Sequence, residues 1–143
     1  MRYTILKKWN KISGKEKWLF FESFVYSLWV PFMSLLPLKF YYPILGKRGE
    51  KLVVSLESDQ TIILNIKTTL SRCRKYLPWS RKCLIQAIIA KLMLKKRKIG
   101  AIMYLGVAKK NDQLKAHAWV VCNDIIVTGA GGYSQFSPVE WFV

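Results

Sequence analysis

The chain has 143 residues, enough for one domain with a proper core, and 52% of them are hydrophobic and 14% aromatic, which excludes a disordered chain. Lys and Arg number 24 against 8 Asp and Glu, so the net charge is +16 and acidic partners are favoured: nucleic acid, anionic lipid, or an acidic peptide or protein. Cys73, Cys83 and Cys122 stand at irregular spacing that does not suit a disulfide framework, and the chain reads as cytoplasmic, without internal repeats.

Ser13 with Glu16 makes a capping-box start for a first helix. Phe21, Phe24, Val25, Leu28, Trp29 and Phe32 recur along one of its faces, with Glu22, Ser23, Tyr26 and Ser27 opposite. The uncharged run over 23–38 is shorter than the about 20 apolar residues of a spanning helix and is interrupted by Pro31 and Pro37. The apolar face is therefore expected to pack on the rest of the domain, with Pro31 ending or kinking the helix. A second reading lays the helix on an anionic membrane surface as a peripheral contact. No small-residue cleavage site follows the run, so a cleaved signal peptide is not expected. Over 41–56 the periodicity weakens: Gly46 and Gly49 flank Lys47 and Arg48 in what reads as a connecting loop, with a candidate extended stretch at 52–56. Residues 1–57 are thus an N-terminal helical region with its connecting loop, and 58–143 a separate core.

Ser58 suits the cap of a helix reaching about residue 76, with Ile62, Ile66, Leu70, Cys73 and Leu77 as its buried stripe. Pro78 stops that helix. Ser80 is the expected N-cap of an apolar run to Leu94, which puts Cys83 near the third helical position. A thiol there meets unpaired backbone N–H groups and the positive end of the helix dipole, and Arg81 and Lys82 add to the pull toward thiolate. The plain alternative is a small buried core residue. Lys95, Lys96, Arg97 and Lys98 before Gly100 complement the dipole at the far end.

After Gly100 the period becomes that of strands. Residues 101–108 are apolar on both faces, as in an inner strand, and 109–112 turn the chain. Residues 114–121 form a second strand, with Leu114, Ala116, Ala118 and Val120 on one face and His117, Trp119 and Val121 on the other. Asn123 and Asp124 turn again, 125–128 return as a third strand, and the glycines of 129–132 end it. Helices followed by an antiparallel meander make an α+β fold.

His117 is the chain's one histidine; in a strand it is either a hydrogen-bonded structural residue or the base for a thiol at a helix start. Cys83-Leu84 opening a helix, Tyr104-Leu105-Gly106-Val107, Ala116-His117-Ala118-Trp119-Val120 and Val127-Thr128-Gly129 together resemble the transglutaminase-like leader peptidases of lasso peptide biosynthesis. The resemblance runs over about 58–143. It implies a fold similar to papain-like and transglutaminase-like cysteine enzymes, with the nucleophile-bearing helix packed on a small antiparallel sheet. It also implies a cysteine protease that removes the leader from a precursor peptide, in a split form without its own leader-recognition domain. The implied partners are the precursor, a separate leader-recognition protein and an ATP-dependent lasso cyclase. By the same resemblance Cys83 is the nucleophile and His117 the base, with the Cys83 backbone N–H as part of an oxyanion hole and no cofactor or metal required.

Many members of that family carry an aspartate about a dozen residues after the histidine, where this chain has Gly129. A two-residue turn at Asn123-Asp124 would pair Trp119 with Thr128 and leave Asp124 at the far end of the hairpin. The Thr128 hydroxyl, or a carbonyl of Gly129 or Ala130, is then the expected orienter of His117. Three other readings stand beside this one. They are a zinc site from Cys73, Cys83, His117 and Cys122, which lacks a close C-x-x-C pair; a nucleic-acid module, against which the basic residues are scattered; and a noncatalytic scaffold of the same fold.

Overall fold

The computed structural model describes residues 11–47 and 60–143. Its helices are α1 (Gly14–Met33), a short α2 (Tyr42–Leu45), α3 (Gln60–Tyr76) and α4 (Cys83–Lys96). The strands β1 (Ile102–Lys110), β2 (Gln113–Cys122), β3 (Ile125–Thr128) and β4 (Ser137–Phe142) follow. The expected cap at Ser58 and extended stretch at 52–56 fall outside the described residues.

The strands form one antiparallel sheet in the order β3-β2-β1-β4, so the fold is α+β and β1 is an inner strand. Both tight turns, Asn111-Asp112 and Asn123-Asp124, hold two residues at positive φ, the backbone that joins twisted strands most directly and that Asn and Asp tolerate. β4 was not expected from the sequence. It pairs with β1 from Met103↔Phe142 onward, with a register shift between Leu105 and Gly106.

α4 has no polar face to leave in water, and the fold encloses it: Ile85, Ala87, Ile88, Ile89, Ala90, Met93 and Leu94 are all buried. It packs against β2 and β3 on one side and α1 and α3 on the other. Met103, Ala118, Val120 and Phe142 supply the sheet's share of this core. Even Lys91 of α4 is buried, its ammonium donating to the carbonyls of Ala101 and Phe142, the latter at 3.4 Å. Along α3 the buried stripe is Ile63, Ile66, Leu70, Cys73 and Leu77; Ile62, expected on it, is exposed.

α1 corrects the sequence reading most. Ser13 caps it as expected, accepting from the Glu16 N–H at 3.3 Å, but the helix runs through Pro31 to Met33. Its faces are reversed: the buried residues are Leu19, Glu22, Ser23, Ser27 and Val30, while Phe21, Val25, Leu28, Trp29 and Phe32 are exposed. The reason lies in the neighbours. Arg97, just past α4, grips the Glu22 carboxylate with two hydrogen bonds of 3.1 and 2.6 Å, and Lys96 adds an ion pair at 3.6 Å. Arg72 of α3 meets Glu16 at 3.8 Å. Ser23 and Ser27 are small enough to let the helices approach, and the Ser27 hydroxyl is satisfied within α1 by the Phe24 carbonyl at 2.7 Å.

Candidate active site

Pro78 ends α3 and begins a single tight turn, Pro78–Ser80, that leads into α4. Ser80 is not the cap of α4. Its hydroxyl instead donates back to the Leu77 carbonyl at 2.9 Å, and its own carbonyl accepts from the Gln86 side chain at 2.7 Å. Lys82 is the N-cap, without a side-chain hydrogen bond, and Cys83 is the first helical residue rather than the third. An uncapped start leaves the first N–H groups of the helix open toward the thiol, where negative charge is favoured. Cys83 is half-buried and free of any disulfide. Cys73 and Cys122 are both buried; burial pushes the Cys73 thiol up, and Cys122 donates to the Gly100 carbonyl at 3.0 Å. Of the three thiols, only Cys83 combines access with a helix start.

His117 lies on β2 opposite Gly106, on the strand face that carries Trp119. Its ring stacks at 5.9 Å on Trp119 and stands 4.9 Å from Phe136, while Trp119 itself stacks on Tyr104 at 5.4 Å. Gly106 is required here, because a Cβ would come within 2.7 Å of the Trp119 ring and 3.1 Å of Phe136. The imidazole Nε2–H donates to the Gly129 carbonyl at 2.8 Å. A carbonyl only accepts, so the proton sits on Nε2 and Nδ1 is the nitrogen left free as a base.

Of the orienters expected for His117, the Gly129 carbonyl makes the contact and the Thr128 hydroxyl does not. The β2–β3 pairing contains a register shift between Val120 and Val121, so Thr128 faces Val120 and not Trp119. One residue of slip turns a side chain to the other face of the sheet. The Thr128 hydroxyl is buried and, among the described residues, has no hydrogen-bond partner, and Asp124 lies exposed in the turn as expected. Gly129 has φ 78, and an added Cβ would stand 2.5 Å from the Ala118 carbonyl oxygen and 2.7 Å from the Trp119 Cβ. The backbone is drawn in so close that its own carbonyl reaches the imidazole.

α4, which Cys83 opens, packs against β2, the strand that carries His117. Ala118 and Val120 of β2 face that helix in the core, and His117 alternates with them on the face of Trp119. Among the described residues no hydrogen bond joins Cys83 to His117; such contacts in unliganded enzymes often tighten only when substrate is bound. Also among the described residues, no three His, Cys, Asp or Glu side chains are grouped to hold a metal ion, and Cys73, Cys83, His117 and Cys122 do not converge.

A family profile for the core of the transglutaminase-like superfamily matches residues 33–140. The chain belongs to the transglutaminase-like superfamily. Neither the curated proteins nor the solved structures yield a match. Sequence reasoning named the Gly129 carbonyl among the expected orienters of His117 but missed two supports, the Gln86 clamp on the Ser80 carbonyl and the Phe136 wall. The Phe136 contact joins residues remote in sequence.

Proposed function

We propose that this transglutaminase-like protein is a cysteine peptidase that cuts the leader from a lasso precursor peptide. The observation that supports the reading is a half-buried thiol at an uncapped helix start, on a helix packed against the strand that carries an imidazole whose Nε2 is already engaged. His117 Nδ1 takes the Cys83 proton, and the thiolate attacks the scissile carbonyl carbon. The resulting oxyanion accepts from the Cys83 backbone N–H. The imidazolium then returns its proton to the leaving amine, and water releases the acyl group from sulfur. The precursor would be delivered by a separate leader-recognition protein, and an ATP-dependent cyclase would close the ring of the product.

Cys83→Ala is expected to abolish cleavage of precursor peptide, followed by mass spectrometry, while Cys73→Ala and Cys122→Ala retain it. Near wild-type cleavage by Cys83→Ala would remove the nucleophile assignment. Gly129→Asp gives a second test. Although it writes in the carboxylate of other family members, a side chain at this φ is strained by about 2 kcal/mol and collides with Ala118 and Trp119. Cleavage should therefore fall, not rise.

The noncatalytic scaffold has one observation in its favour, a neutral carbonyl where a carboxylate would hold the imidazolium more strongly. The rate of Cys83 labelling separates the two. A thiol no more reactive than free cysteine supports the scaffold.

A further inference from the structure

From the outward stripe of α1 we infer that this face is a docking surface for an anionic lipid bilayer. The stripe runs from Trp18 through Phe21, Leu28 and Phe32 and continues past the helix in Leu35 and Phe40, all at least 48% exposed. Soluble surfaces seldom present so many large apolar side chains together. The stripe lies on one side of a single helix of 20 residues, a convex strip about 30 Å long that suits a flat apolar boundary better than a recessed protein pocket. Among the described residues no helix is long and apolar enough to cross a membrane, so the helix would lie on the bilayer.

Charge selects the kind of lipid. The acidic residues of the described segment 11–47 are Glu16 and Glu22, and both are held by bases of the core, Arg72 and Arg97. What remains at the surface of α1 and the following turn is basic. Lys17 stands one turn before Phe21 on the stripe, Lys15 flanks it, and the Lys39 ammonium sits 5.4 Å from the Phe40 ring centre. Lysines with apolar stems along an aromatic strip place their charge at headgroup height, where each adds about 1 kcal/mol toward an anionic surface. The Pro78–Ser80 turn that leads into Cys83 packs against α1. A docked molecule therefore carries its site beside the bilayer, so that a membrane-held substrate or partner would meet it there.

The test uses full-length Cys83→Ala protein, so that its outcome is independent of catalysis. Vesicles of phosphatidylcholine alone and of equimolar phosphatidylcholine and phosphatidylglycerol are sedimented with it. Binding to the anionic vesicles is expected, with a blue shift of tryptophan emission and weakening as salt rises. Phe21→Ser/Leu28→Ser/Phe32→Ser, folded by circular dichroism, should bind more than about tenfold more weakly. Lys15→Glu/Lys17→Glu/Lys39→Glu should lose about a hundredfold on anionic vesicles and little on neutral ones. Equal binding of wild type to both vesicles, no binding to either, or binding untouched by both triple variants would overturn the inference. So would self-association by light scattering that the apolar variant abolishes while vesicles stay unbound, since the face would then be an interface between copies of the chain.

Discussion

α1 and α4 are both rich in large apolar side chains, yet one is enclosed on every side and the other turns its apolar stripe outward. The difference lies in what the neighbours present. α4 runs between a sheet face of Met103, Ala118 and Val120 and two helices, so it is covered on both sides. α1 comes to rest where Arg97 and Arg72 project, and there a glutamate and two serines make the better inner face. Amphipathic periodicity locates a helix and its two faces. Which face goes inward is decided by the surface it meets.

The largest effect should come from breaking the enclosed helix. Ile88 is fully buried, so Ile88→Ala removes its packing and leaves a cavity, destabilising the protein by about 4 kcal/mol in urea unfolding. A loss below about 1 kcal/mol would mean α4 is not the centre of the core. On α1 the corresponding break is at a charge. Glu22→Ala leaves Arg97 facing the buried site unpaired, and a loss of about 3 kcal/mol is expected. Glu22→Ala with Arg97→Met should recover part of it, because no lone charge remains; a double variant worse than the sum of the singles would contradict the pairing.

What the sequence disclosed and what it hid divide along this same line. β1, β2 and β3 were legible to within two residues, because alternation and Asn-Asp turns are local signals. That Cys83 opens a helix and His117 stands on a strand was likewise legible. β4 was not, since among the described residues it pairs with β1 alone, at least 30 residues away, and Pro138 weakens its pattern. Thr128 was misplaced by a single register shift, which no periodicity announces. The inward turn of Glu22 depends on Arg97, 75 residues later.

The two helices also handle a buried charge differently, and pH exposes this. Glu22 has cationic partners, whereas Lys91 of α4 has two carbonyls. Burial, with a smaller push from Lys95 and an opposing one from Cys122, lowers the Lys91 pKa from 10.5 to about 8. Between those values the unfolded chain binds more protons than the folded one, so the contribution of Lys91 to stability rises with pH. Above pH 9.0 Cys73 and then Tyr41 act the other way, because burial raises both and the unfolded chain ionises first. The clean window is pH 8 to 9. Over it the wild type should gain up to about 1 kcal/mol in denaturant midpoint analysis, and Lys91→Met should be flat. A Lys91→Met protein with the same slope would assign the titration to another group.

The smallest effect should come from the outward stripe itself. Phe32 is 73% exposed, so only about a quarter of its side chain leaves water on folding. Full burial of a phenylalanine is worth up to about 3 kcal/mol, and Phe32→Ser should therefore cost less than about 1 kcal/mol. Ser and Phe have similar helix propensities, and Phe32 is one residue from the end of α1, so little is added by the backbone. Were the stripe packed on the domain, as its periodicity first suggests, the same substitution would cost about 3–5 kcal/mol. Urea unfolding of this one variant thus distinguishes the two orientations of α1. A large loss would return the apolar face to the interior, and with it would go the lipid-docking surface; a small one leaves six aromatic and aliphatic side chains from Trp18 to Phe32 in water, still requiring a partner.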